Sequence, residues 1–198
     1  MTASPVSVAN MALTRLGGRS IASLDEGSRE SILANTFFDL SRDAVLREHH
    51  WTFASRRRVL ARVDSVLNGS GWAYVYGYPT DCLAVRWLYN PLVDGDPIPY
   101  EVTSDAAGTR VILSDLSNAV LIYTARLTDM GRCDPLFIEA LSWKLASEIA
   151  VPLSQDRSLA KMAFEQYRMV LSQAHTADAN EGQARPPGVA DWLKVRGL

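Results

Sequence analysis

Ser41-Arg-Asp-Ala-Val-Leu-Arg-Glu-His-His50-Trp-Thr-Phe-Ala-Ser55-Arg-Arg-Arg-Val-Leu60-Ala-Arg-Val63 holds the change of period around which the chain is organised. Up to His50 the apolar residues return every three or four positions, as on one face of a helix. From Trp51 onward they tend to alternate, as in strands. Trp51–Ser55 and Val59–Val63 therefore read as strands, and the residues before them as a helix over roughly 29–50 capped by Ser28. Its expected buried stripe is Leu33, Phe37, Leu40 and Ala44, widened by Ile32 and Val45. Arg42, Asp39, Asp43 and Arg47 fall on the remaining faces. Asp39 and Asp43 share one face, and Arg42 and Arg47 stand close enough to neutralise them, which disfavours a general acid–base pair.

Working toward the N-terminus, Pro5 suits a first helical position, because the N–H it lacks has no partner there. Val6, Ala9, Leu13 and Leu16 give that helix its stripe, and Gly17-Gly18 stops it. Ile21 and Leu24 are apolar plugs in the following loop. Working toward the C-terminus, Trp72–Tyr76, Cys82–Leu88, Arg110–Leu113 and Ala119–Tyr123 read as strands. Asn68-Gly69-Ser70-Gly71 and Asp94-Gly95-Asp96 read as turns between them. Asp134-Pro135 announces a third helix, with Phe137, Ile138, Leu141, Leu145 and Ile149 inward and Pro152 limiting its end. Ser154 is placed to cap a fourth, lined by Leu159, Met162, Tyr167, Val170, Leu171 and Ala174. The fold class is α+β. We expect a helical bundle of about four helices, two N-terminal (1–50) and two C-terminal (132–180), with a β-rich insertion (51–131) and an extended C-terminal arm (181–198).

The chain has 198 residues, 47 % of them hydrophobic and 21 % charged, with a net charge of −2. That length can bury a core without staples. Cys82 and Cys133 are too far apart in sequence for a CxxC site and too few for a disulfide framework. No stretch has the apolar length of a membrane span, and the N-terminus lacks the pattern of a signal peptide. Near-neutrality argues against binding nucleic acid by bulk charge. The charge is nonetheless uneven: residues 1–62 carry net +3, residues 63–131 net −5 and residues 132–198 net zero.

Catalytic signatures are sparse. Neither glycine-rich phosphate loop nor a G-x-S-x-G elbow occurs. His49 and His50 point about 100° apart on a helix, so they do not chelate as an i, i+4 pair would. Asp94-Gly95-Asp96 lacks the further ligands of a calcium loop. We expect no catalytic, metal or cofactor residues. Arg56-Arg57-Arg58 is the densest basic run; on a strand Arg56 and Arg58 face one way and Arg57 the other. It offers a DNA- or subunit-contact patch, or simply an edge that resists pairing with other sheets. Trp72, Tyr74, Tyr76, Trp87 and Tyr89 could stack bases, but the acidic balance around them favours a small β core and a protein interface. In the arm, Trp192, Leu193, Val195 and Leu198 are apolar yet separated from the helices by Arg185-Pro186-Pro187-Gly188. They either fold back onto their own domain or dock on another chain, and docking on another chain is the expectation.

The order Asn10-Met-Ala-Leu-Thr-Arg-Leu-Gly17, Ile21-Ala-Ser-Leu-Asp-Glu26, Ser41–Ala54 and Gly71-Trp-Ala-Tyr-Val-Tyr-Gly-Tyr-Pro-Thr-Asp-Cys-Leu-Ala-Val85 resembles the tail tubular protein A family of short-tailed bacteriophages, the head-to-tail adaptors. The resemblance covers about residues 6–180. It implies a non-enzymatic virion protein without cofactors, made in the bacterial cytoplasm. Such proteins form a dodecameric ring between the portal and the tail nozzle, tail tubular protein B. The ring continues the DNA channel without sequence-specific binding and is often a platform for tail fibres. The C-terminal segments of the family reach the portal. That role falls here on Arg185, Pro186, Pro187, Trp192, Leu193, Val195, Arg196 and Leu198. The alternative is a DNA-binding accessory protein using Arg56, Arg57 and Arg58.

Overall fold

Ser4 and Pro5 start helix α1 (Pro5–Arg15) together. The Ser4 hydroxyl accepts the Ser7 N–H at 3.1 Å, and the Ser7 hydroxyl accepts the Ser4 N–H at 2.8 Å, so two N–H groups that the helix cannot pair are satisfied reciprocally. The helix ends where Gly17 takes a positive φ of 71°, a conformation that needs no Cβ. The computed structural model describes residues 3–63, 71–90 and 98–181. Among these the protein is mixed α+β, with four α-helices and two three-stranded antiparallel sheets.

Helix α2 (Arg29–Glu48) is capped by Ser28, whose hydroxyl accepts the Ser31 N–H. Helix α3 (Pro135–Ser154) is capped by Asp134, whose carboxylate accepts the Leu136 and Phe137 N–H groups. Helix α4 (Arg157–Glu181) follows after Gln155 in the left-handed conformation. Ser154 does not cap α4. Its hydroxyl donates to Ala150 at 2.7 Å, and the carboxylate of Asp156, the residue immediately before the helix, accepts the Ser158 N–H at 2.7 Å instead. A carboxylate there also complements the positive end of the helix dipole.

Helix α3 is the centre of the helical part, with α1, α2 and α4 packed on it. Phe137, Leu141, Leu145 and Ile149 are fully buried, with Ile138 nearly so, as their spacing predicts. The face of α2 differs from expectation. Ala34, Phe38, Val45 and Leu46 are buried with Ser31, Ser41 and Arg42, whereas Leu40 is 69 % and Ile32 57 % exposed. Leu33, Phe37 and Ala44 are half-buried. Rows one residue apart differ by only 100°, so periodicity alone cannot choose between them. The row that wins carries small residues, Ser31, Ala34 and Ser41, which allow close approach to α3. Its one charge, Arg42, is matched by Asp39 at 2.7 Å and Asp43 at 2.8 Å. Met162, expected inward on α4, is 36 % exposed.

The expected strand 51–55 is replaced by a single 3-10 turn, Thr52–Ala54. Trp51 is fully buried in the helical core, its indole N–H donating to the Val45 carbonyl at 2.9 Å. The first strand, β1 (Ser55–Val59), therefore has the arginine run as its middle. Strands β2 (Tyr74–Gly77), β3 (Cys82–Tyr89), β5 (Arg110–Ser114) and β6 (Val120–Ala125) match expectation within two residues. Of the expected strand over 59–63, Val59 closes β1 and Arg62 forms an isolated bridge with Tyr76. Strand β4 (Glu101–Ser104) was not foreseen; it is short, carries one large aliphatic residue, and forms by pairing with β5. One sheet runs β1-β6-β3 and the other β2-β5-β4. Tyr76 and Ile112 from the second sheet share a buried cluster with Leu88, Leu121 and Tyr123 from the first. The turn readings at 68–70 and 94–96 lie outside the described residues.

Candidate functional site

The most elaborate polar arrangement joins the helices to the first sheet. Strand β3 has two irregularities against β6: Leu83 and Arg86 have no partner in the register. Such extra residues bend a strand and re-aim its groups. Both are used at the end of α2. Arg47 donates to the Leu83 carbonyl, and Arg86 donates to the Arg47 and His49 carbonyls and to the Thr124 hydroxyl at 2.8 Å. The last carbonyls of a helix have no partners within it and carry its negative pole, so a guanidinium suits them. Arg126 adds a further tie from β6's end, to Asp43 at 2.7 Å.

Beside this latch the three histidines converge on one joint. His49 ends α2, and its Nε2 lies 3.0 Å from Asp178 on α4. The second Asp178 oxygen accepts the Thr52 N–H at 2.9 Å. Asp178 is itself buried. His175, one turn earlier on α4, stacks on His49 at 4.2 Å and lies against Trp51. Its Nε2 is buried without a hydrogen-bond partner. Burial, and then the neighbouring His49, hold the His175 imidazole below its ordinary pKa. His50 is lowered by burial, then Arg86 and His49, and its Nε2 pairs with the Ser55 hydroxyl at 2.9 Å. Nearby, Tyr167 donates to Glu48 at 2.8 Å; burial and that carboxylate push its hydroxyl pKa up strongly. The sequence reading missed this cluster. The available signal was the i, i+3 spacing of His175 and Asp178 on the face of α4 that also carries Tyr167 and Leu171.

The joint holds elements together, and a hollow of ≈ 340 Å³ opens beside it, lined by Glu48, Tyr167 and His175. Among the described residues no group of three or more His, Cys, Asp or Glu side chains is arranged to hold a metal.

The arginine run lies on β1, an edge strand, and all three side chains are solvent-exposed. Arg56 pairs with Asp81 at 2.8 Å, and the Tyr123 hydroxyl, which donates to Asp81, faces Arg58. Arg57 lies over the Tyr89 ring at 4.6 Å. The run is thus divided between two faces, as the alternation of a strand requires. Tyr74 and Tyr78 are likewise covered by Arg62 and Arg110, at 4.2 and 4.0 Å. Two of the tyrosines that could stack bases, Tyr74 and Tyr89, therefore already have a guanidinium group of the same chain on one face. Trp87, 43 % exposed, meets the edge of His50. The proposed docking residues Arg185, Pro186, Pro187, Trp192, Leu193, Val195, Arg196 and Leu198 lie outside the described residues.

Compared with protein-family models and with curated proteins, the chain matches none. Among the described residues no helix is long and apolar enough to cross a membrane.

Proposed function

We propose that the chain is a structural phage protein, a head-to-tail adaptor. In this reading it forms a ring between portal and tail nozzle, extends the DNA channel and carries tail proteins, with fibres among them. The four helices act as a bundle and the two sheets as a subdomain inserted between its halves. Residues 185–198 reach the portal.

The observation that carries the reading is a pair of unlike surfaces on one subunit. The outer side of α4 exposes Met162 and Met169 among Arg157, Lys161 and Arg168. The first sheet exposes Trp87, in the part of the chain with the acidic excess. A ring is built by head-to-tail contact, which needs two different complementary faces on each copy. The basic excess of residues 1–62 and the acidic excess of residues 63–131 would steer such faces together. The resemblance in sequence order supports the same reading. Its motifs act in the fold: Asn10, for example, bonds both the N–H and the carbonyl of Ile21, fixing the loop between α1 and α2.

The test is capture of the chain by immobilised portal rings, with Met169→Asp and Trp87→Asp as face variants. The adaptor reading expects saturable capture of the wild type, with each variant reducing the amount bound per portal ring. Absence of capture contradicts it. The DNA-binding alternative rests on the exposure of Arg56, Arg57 and Arg58. A DNA titration at two salt concentrations separates the readings, because phosphate contacts give a steep salt dependence.

A further inference from the structure

Helices α2 and α4 flank α3 with a groove between them, floored by the Lys144–Glu148 ion pair of α3. It consists of two hollows that share Lys144. One, of ≈ 260 Å³, is bounded by Phe37, Leu40 and Ser41; the other, of ≈ 340 Å³, by Phe164, Leu171 and His175. Leu40 and Phe164 are exposed large hydrophobics, 69 % and 45 % accessible. Among the described residues two buried side-chain polar atoms lack a hydrogen-bond partner, Ser41 Oγ and His175 Nε2. Each belongs to one of the two hollows, and Ser41 is only 2 % exposed. Buried polar atoms are nearly always paired, so two orphans on the walls of adjoining hollows, each lined by both apolar and charged side chains, fit an occupant with apolar side chains and hydrogen-bonding groups. A peptide segment has both.

We propose that in the free subunit this groove is covered by the same chain's C-terminal segment, with Trp192 and Leu193 as its anchors. The last described residue, Glu181, ends the helix that forms one wall of the groove. Phe164 lies about 26 Å back along that helix at 1.5 Å per residue. The eleven residues from Glu181 to Trp192 can span about 36 Å when extended, more than the length back to Phe164, so the anchors reach the hollow that Phe164 bounds. A short tether gives an effective concentration in the millimolar range, so at micromolar protein the chain's own segment outcompetes that of a second copy. The segment's Asp191, Lys194 and Arg196 can meet the mixed charges of Lys144, Arg168 and Glu148. The inference stands on the groove and does not use the adaptor reading; if that reading holds, the portal takes the segment from the groove on assembly.

The test uses the full chain with the photo-crosslinking amino acid p-benzoylphenylalanine at position 193, irradiated at micromolar concentration and mapped by mass spectrometry. The expected product is a single-chain crosslink to residues 37–44, 144–148 or 164–175. Leu40→Glu, at an exposed position, should cut its yield at least fivefold, and Phe164→Glu should do the same independently. Crosslinks that map elsewhere, that occur only between two chains, that are absent, or that survive both variants would overturn the proposal.

Discussion

Asp178 is the single side chain on which the joint most depends. It accepts from Thr52 with one oxygen and faces His49 with the other, in a site largely closed to water. Removing it strands the Thr52 N–H and the His49 imidazole. Asp178→Ala should lower stability by about 1–3 kcal/mol in urea unfolding, the range for orphaned buried polar groups. An unchanged midpoint would show that water replaces the carboxylate freely. His50 and His175 make the same joint sensitive to acid. Their folded pKa values lie below the ordinary value of about 6.5, so below that pH the unfolded chain binds more protons than the folded one. Stability contributed by keeping them neutral is therefore complete above about pH 7 and declines as pH falls through the window below 6.5. The melting temperature should drop between pH 7 and pH 5, and His175→Gln should flatten that slope. A slope that is the same in the variant would remove His175 from the account.

Among the elements, β3 shows what a strand loses in ladder regularity and gains as a connector. Its two unpaired residues are the ones that meet the end of α2. Arg86→Ala should loosen α2's last turn and β3 together, with faster hydrogen exchange there and retained protection in α1 and α3. Arg86→Lys should recover less than half of the loss, since an ammonium lacks the planar fork that spans two carbonyls and a hydroxyl. Uniform acceleration of exchange would point to global destabilisation instead. Helix starts were legible in the sequence because caps act locally: Ser28, Asp134 and Pro5 carry their signal within a turn. The buried face of α2 was not legible, because close approach of Ser31, Ala34 and Ser41 to α3 and the matching of Arg42 are tertiary facts. Strand β4 and the β3 irregularities exist only through their partners, and Trp51 looked like a strand residue until the core of α3 claimed it. Of the candidate site, the alternation of Arg56, Arg57 and Arg58 was readable, whereas the convergence of His49, His175 and Asp178 joins residues well over a hundred positions apart.

For the whole molecule, the question is whether its exposed surfaces serve other proteins or nucleic acid. Replacing Arg56, Arg57 and Arg58 together by Ser should leave portal capture intact and change DNA binding by less than about twofold at physiological salt. A loss of ten-fold or more would favour the DNA-binding alternative. Deleting residues 182–198 should keep a cooperative melt of the described body and abolish portal capture; a truncated chain that fails to fold would assign that segment to the core itself. The central claim is that many copies complete one another on a portal. Electron microscopy of the purified chain added to portal rings tests it most directly. The account predicts an added ring of density on one portal face, continuous with the channel. Bare portals with this chain left unattached in the background would contradict it.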